Sequence, residues 1–114
     1  MANRHLFPFQ KLDVYVAAQE LAEVCAHCRG GELKDQLGRA SLSVVLNLAE
    51  GLPSRMPGYR RKYFTESMGS LHEVVAALDV AGRTAALAPV DLERARALSF
   101  RLRGMIWGLQ GSSG

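Results

Sequence analysis

Two rows of polar side chains in the middle of the chain have residue types and a spacing that could do chemistry. The first row combines amide, hydroxyl and charged groups and consists of Gln36, Arg39, Ser43, Asn47 and Glu50. The second row combines phenols, carboxylates and a hydroxyl and consists of Tyr59, Tyr63, Glu66, Ser70 and Glu73. Steps of three and four residues place the members of each row on one face of a helix. Both rows border apolar positions, so we expect them at the edge of a core.

The carboxylates of these rows admit two interpretations. If the rows face each other, Glu50 or Glu73 is partly buried and must accept a hydrogen bond from Asn47, Ser70 or a tyrosine hydroxyl. The two carboxylates could then form a catalytic pair. Alternatively, Asn47, Glu50, Ser70 and Glu73 form a structural network that fixes the register of two helices. We favour the network, and expect no enzyme, because no nucleophile or metal ligand accompanies the carboxylates.

The cysteines and histidines do not form a recognisable centre in the sequence. Cys25 and Cys28 are the only cysteines, and two thiolates at this spacing provide half of a zinc site. The sequence offers no second half, so we interpret the pair as small apolar side chains of a helix core. No nucleophile and base signature accompanies His5, His27 or His72. We therefore expect neither a metal ion nor another cofactor.

Positive charge is densest between Gly51 and Thr65, a segment without an acidic residue. The basic residues of this segment are Arg55, Arg60, Arg61 and Lys62. Tyrosines interleave with them and offer ring faces for stacking. Further basic positions, several of which recur every seven residues, are Arg39, Arg94, Arg96, Arg101 and Arg103. These clusters are either solvated helix faces or phosphate contacts, and repetition around a ring of subunits would sum weak patches into a nucleic-acid surface.

Proline and glycine divide the chain into four segments with helical periodicity, at about 9–29, 32–51, 58–83 and 90–110. Connections of about two to eight residues favour an antiparallel, up-down-up-down four-helix bundle. The sequence therefore predicts an all-α protein with a single domain over residues 1–114.

Each segment has one apolar seam, and we expect the four seams to form the core. The third seam, for example, places Val75 between Leu71 and Leu78, and the second contains the amide of Asn47. The fourth seam consists of Ala95, Leu98, Leu102, Met105 and Leu109. Large side chains off the seams, among them Tyr15, Tyr59, Tyr63, Val74 and Trp107, predict a second packing surface and hence an oligomer.

Length and charge limit the class of protein. The chain has 114 residues, of which 48% are hydrophobic, and a formal net charge of +3. This length supports one core without disulfide or metal staples, and the mild basic excess permits an anionic partner. The first thirty residues carry charges at short intervals, unlike a secretory signal. No uncharged run approaches the roughly 20 residues of a membrane span, so we expect a cytoplasmic protein without a membrane partner.

Several motifs together resemble one family. They are Phe9-Gln-Lys-Leu-Asp-Val-Tyr15, Gln36-Leu-Gly-Arg-Ala-Ser-Leu-Ser43, Asn47-Leu-Ala-Glu-Gly51, Tyr63-Phe64 and Ser67-Met-Gly-Ser-Leu-His-Glu73. Over about residues 7 to 82 the chain resembles the four-helix-bundle proteins encoded in intervening sequences of bacterial large-subunit ribosomal RNA genes. The chain departs from the family pattern at Gly38-Arg39, where two adjacent basic residues are usual.

The resemblance implies an antiparallel four-helix bundle that assembles as a homo-oligomeric ring, typically a pentamer. Related accessory variability proteins of diversity-generating retroelements are basic pentamers that bind nucleic acid and a reverse transcriptase. The resemblance therefore implies RNA or DNA, and a protein such as a reverse transcriptase, as partners. We expect a non-enzymatic accessory protein that binds nucleic acid through basic rims. The alternative is a protein-interaction scaffold that never touches nucleic acid.

Overall fold

A computed structural model of the chain describes residues 5–112, which form four α-helices and contain no β-strand. The helices are α1 (Asp13–Cys25), α2 (Glu32–Gly51), α3 (Pro57–Thr84) and α4 (Pro89–Ser112), and a 3₁₀-helix at Pro8–Lys11 precedes α1. The predicted all-α class and the four helices are confirmed.

The first helix is shorter than the predicted segment 9–29. Leu12 has an extended backbone, with φ −74° and ψ 138°, which separates the 3₁₀-helix from α1. Asp13 then lies in the first turn of α1, where a carboxylate stabilises the positive end of the helix dipole. At the other end, α1 stops at Cys25. Cys28 lies in the turn that follows, and its side chain is buried.

The helices surround one hydrophobic core. α1 and α3 each pack against both α2 and α4, so every helix has two neighbours. The largest fully buried side chains come from all four helices and include Phe64, Leu21, Leu37, Leu71 and Ile106. The core is therefore shared by the four elements rather than built on one helix pair.

The predicted seams are wrong at three positions. Val75, a residue of the predicted seam, is 41% exposed. The adjacent Val74, which is not part of that seam, is fully buried. Asn47 is only half-buried, and the adjacent Leu48 occupies the core. In α4, Ile106 is not part of the predicted seam, but it is fully buried. A seam built from alternating steps of three and four residues follows a narrow line along the helix. A helix in a small domain buries a stripe at least 100° wide, and the centre of this stripe depends on the neighbouring helices.

α2 and α3 pack tightly against each other at a glycine. A Cβ atom built on Gly51 would lie 2.7 Å from Cε1 of the fully buried Phe64. The contact is with the ring of a buried side chain, so this ring would have to shift to admit any larger side chain at position 51. Gly51 is thus required by the packing of the Phe64 ring.

The substitution Gly51→Ala tests this requirement. We expect it to lower the free energy of unfolding by about 1–3 kcal/mol, because an overpacked core side chain must leave its preferred rotamer. The control is Gly69→Ala in α3, since a Cβ atom at Gly69 meets nothing within 4 Å. Alanine there should stabilise the helix by about 0.5–1 kcal/mol. Urea unfolding followed by circular dichroism measures both, and equal effects would contradict the steric explanation.

Candidate nucleic-acid interface

The two polar rows face each other across α2 and α3. The hydroxyl oxygens of Ser43 and Ser70 are 2.7 Å apart. The Nδ2 atom of Asn47 donates to the carbonyl oxygen of Ser43 at 3.0 Å and to its Oγ atom at 3.1 Å. One turn away, Ser67 Oγ donates to the carbonyl oxygen of Val44 at 3.0 Å. These hydrogen bonds join Asn47 and Ser70 through Ser43 and tie the two helices together.

The two carboxylates are not brought together. Oε1 of Glu50 accepts a hydrogen bond of 2.6 Å from the Tyr59 hydroxyl at the exposed edge of the rows. Glu73 is exposed, and within the described part of the chain it forms no hydrogen bond or ion pair. It lies about 21 Å further along α3 than Tyr59, at 1.5 Å per residue. The structure therefore shows Glu50 bound to a tyrosine and leaves Glu73 outside the network.

The hydrogen bond with Glu50 changes the acidity of Tyr59. It raises the pKa of Tyr59 from 10.0 to about 12, because the phenol donates to the carboxylate and a phenolate would be repelled by it. The Tyr59 ring also packs against Tyr63, with ring centroids 4.8 Å apart. Nζ of Lys62 lies 4.9 Å from the centroid of the Tyr63 ring. A cation and two aromatic rings thus share one edge of the α2 and α3 pair.

Arg60 turns inward, away from the surface predicted to bind phosphate. Its Nη1 atom donates to three carbonyl oxygens at the end of α2, those of Gly51 (3.2 Å), Leu52 (2.8 Å) and Ser54 (3.0 Å). Its guanidinium lies 4.9 Å above the centroid of the Phe64 ring. The last carbonyls of a helix have no partner within the helix. Arg60 therefore caps α2, a role that the sequence reasoning missed.

The other basic residues around the α2 and α3 connection remain at the surface. Arg55, Arg61 and Lys62 are exposed, and we call these three residues the basic end. Successive helical residues point about 100° apart, so Arg61 and Lys62 diverge. Arg61 lines a cavity with Trp107 of α4, whereas Lys62 lies beside Tyr63. The basic end therefore spreads around the tip of the bundle instead of forming one row.

The secondary basic residues lie elsewhere. Arg39 donates to Oε1 of Gln36 at 2.9 Å, and Arg96 pairs with Asp79 of α3 at 3.4 Å. The remaining arginines of α4 are exposed, and they are Arg94, Arg101 and Arg103. Because positions 94 and 96 differ by about 200° around a helix, these residues occupy two sides of α4. The structure does not gather them with the basic end.

The sulfur and imidazole groups are separated. Cys25 and Cys28 are buried free thiols, and burial raises the pKa of Cys25 to about 11. Nδ1 of His27, in the turn after α1, lies 3.2 Å from Oδ2 of Asp91 in the first turn of α4. Across residues 5–112, no three His, Cys, Asp or Glu side chains are grouped as a metal site would require.

Comparison with known proteins points to one family. A family model described as 23S rRNA-intervening sequence protein matches residues 10–108. The matched segment includes α1, α2 and α3 in full and most of α4. No curated protein sequence matches the chain. None of the helices in the described range is long and apolar enough to cross a membrane.

Two variants separate the capping role of Arg60 from the effect of losing a positive charge. We expect Arg60→Ala to lower the free energy of unfolding by about 1–3 kcal/mol, because three carbonyls lose a charged donor. Lys62→Ala removes the same charge two residues later and should change stability by less than about 0.5 kcal/mol. Chemical denaturation measures both variants. Equal stability of the two would show that Arg60 does not cap α2.

The hydrogen bond of Tyr59 gives a pH-dependent signal. We expect Glu50→Gln to lower the pKa of Tyr59 from about 12 towards its ordinary 10.0, because the acceptor loses its negative charge. The bond stabilises the folded chain fully below the ordinary pKa, and this contribution is lost as the pH rises through the raised pKa. Ultraviolet titration of the tyrosinate band measures the shift. Glu73→Gln is the control and should leave the titration unchanged.

Proposed function

We propose that this chain, which belongs to the 23S rRNA-intervening sequence protein family, is a non-enzymatic cytoplasmic protein that forms a ring of identical subunits and binds RNA or DNA. The proposed contact surface is the basic end, Arg55, Arg61 and Lys62. Arg39 and the arginines of α4 are secondary candidates. No cofactor is needed for this function.

The observation that carries the proposal is the exposed positive charge at one tip of the bundle. The segment from Leu52 to Thr65 contains no acidic residue, and three of its four basic side chains are exposed. Cations in the first turns of a helix oppose its dipole. Arg60 offsets this cost by capping α2, and a bound phosphate would offset it for Lys62.

We infer that the bundle is antiparallel, and the contacts between helices support this inference. Contacts join the end of α2 to the start of α3, as between Gly51 and Phe64, and earlier α2 residues to later α3 residues, as between Ser43 and Ser70. The same reversal holds between α3 and α4, where Thr65 meets Gln110 and Asp79 meets Arg96. The family resemblance implies a ring, typically a pentamer. In such a ring, each subunit would add its basic end to one rim. Weak contacts then sum into useful affinity.

A protein-interaction scaffold is the second candidate. Two large aromatic side chains of α4, Phe100 and Trp107, are 79% and 69% exposed. Exposed aromatic side chains are typical of the centre of protein–protein interfaces. A protein partner, such as a reverse transcriptase, would be retained at high salt, because ionic screening weakens phosphate contacts more than apolar ones.

A salt titration with a charge-matched control tests nucleic-acid binding. The test variant is Arg55→Gln, Arg61→Gln and Lys62→Gln, which leaves the α2 cap intact. Labelled single-stranded RNA and duplex DNA are titrated by fluorescence anisotropy at several salt concentrations. We expect weaker binding to all sequences. For each engaged subunit the salt slope should be shallower by about 2 with single-stranded RNA and by about 3 with duplex DNA, since three phosphate contacts are lost.

The control removes three positive charges from the opposite tip. It combines Arg29→Gln, Lys34→Gln and Arg83→Gln, and Arg29 is placed there by its backbone bond to Ala86. This variant should keep most of the affinity and the wild-type slope. Unchanged binding in the test variant, or an equal loss in both, would remove the assignment. A wild-type oligomer that binds neither nucleic acid at low salt would favour the scaffold.

A further inference from the structure

A groove runs along α3 and α4 with apolar walls. Its central cavity, of about 280 Å³, is lined by Leu71, Val75, Ser99 and Phe100 among others. Val75 is 41% exposed and Phe100 is 79% exposed. A second cavity contains Trp107, which lies about 10 Å further along α4 than Phe100. The two cavities are separate, and exposed aromatic side chains lie at both, two turns apart on α4, which suits a helix better than a small molecule.

Ser99 marks this groove as incomplete. Ser99 is 3% exposed, and its Oγ atom is buried without a hydrogen-bond partner among the described residues. A buried hydroxyl without a partner is costly. Because Ser99 lines the cavity, the wall of the groove contains a buried polar group that no described residue of the same copy satisfies.

A second apolar surface lies on α2. Leu42 and Leu46 are 51% and 54% exposed. They stand one turn apart, each about 160° around the helix from the buried Val44. A Cβ atom on Gly38, one turn before Leu42, would meet nothing within 4 Å. We call Leu42 and Leu46 the α2 ridge.

The two helix pairs that carry these surfaces have opposite charge. α1 and α2 contain six acidic residues, Asp13, Glu20, Glu23, Glu32, Asp35 and Glu50, but only the basic residues Lys34 and Arg39. α3 and α4 contain eight basic and five acidic residues. Arg96, Arg103 and Asp79 line the groove itself, and Arg96 is paired with Asp79, so the net positive charge of the lining comes from Arg103. Two grooves brought together would repel, whereas the groove and the α2 side of another copy attract.

We propose that the groove between α3 and α4 accepts the α2 ridge of a second copy of this chain. Each copy then offers two different surfaces, so subunits join head to tail. A head-to-tail contact continues until a ring closes, whereas a symmetric contact stops at a dimer. The inference rests on the ring assembly in the proposed function and names the surfaces that would form it.

Single-surface variants test the docking. Phe100→Glu places a negative charge where the acidic side of the next copy would sit, and Leu46→Arg places a positive charge opposite the arginines of the groove. Both positions are exposed, so the isolated fold should be unaffected, which circular dichroism checks. Val90→Glu is the control, because Val90 is also on α4 and is 75% exposed but lies outside the groove.

Sedimentation velocity gives the size of each protein at one concentration. We expect an oligomer for the wild type and the control, and a monomer for Phe100→Glu and for Leu46→Arg. Mixing the two variants should restore a complex containing both, since each retains the surface that the other lacks. A groove that pairs with itself would not give this complementation.

Three results would overturn the proposal, and they are distinguishable. A monomeric wild type would remove the ring assembly together with the docking. A wild-type oligomer that Phe100→Glu or Leu46→Arg leaves intact would remove the docking alone. Loss of RNA binding in Phe100→Glu with an unchanged oligomer would assign the groove to nucleic acid instead.

Discussion

The close contact between the end of α2 and the start of α3 is the constraint on which much of the molecule depends. Gly51 lets the Phe64 ring reach the helix backbone, and Arg60 closes the same corner by covering the ring and binding the free carbonyls of α2. This corner sets the register of the two helices. Further along, Ser43 meets Ser70 and Ser67 meets the backbone of Val44, so the polar rows are in the same register as the corner.

The same corner divides the basic segment between folding and binding. Arg60 is directed to the interior by three carbonyl oxygens. Its neighbours in sequence then point to different sides of the tip, because consecutive side chains on a helix diverge. The charge available to a polyanion is therefore smaller than the sequence count, and it is distributed around the tip. A ring of subunits would multiply this modest charge and bind a polyanion more tightly than a single chain.

The large apolar side chains are likewise divided between the core and the surface. Most large apolar side chains serve the shared core, yet Leu46, Phe100 and Trp107 remain open to solvent. The exposed aromatic side chains lie on α4, whereas the exposed leucine lies on α2 among the more acidic pair of helices, and this difference gives the chain two unlike sides. Unlike sides permit repeated assembly, whereas a uniform surface does not. The polarity arises because acidic residues predominate in α1 and α2 and basic residues in α3 and α4.

The sequence by itself determined the local features. Proline, glycine and the apolar period locate the helices, since these signals act within a few residues, and the predicted segment 32–51 coincides with α2. The family motifs likewise lie in continuous stretches of chain. Only the tertiary structure decided which side of each helix is buried, as at Val74 and Val75, because that choice depends on neighbours distant in sequence. It also decided that Arg60 caps a helix and that Glu73 stays at the surface, since the partners of a long polar side chain are set by packing and not by spacing.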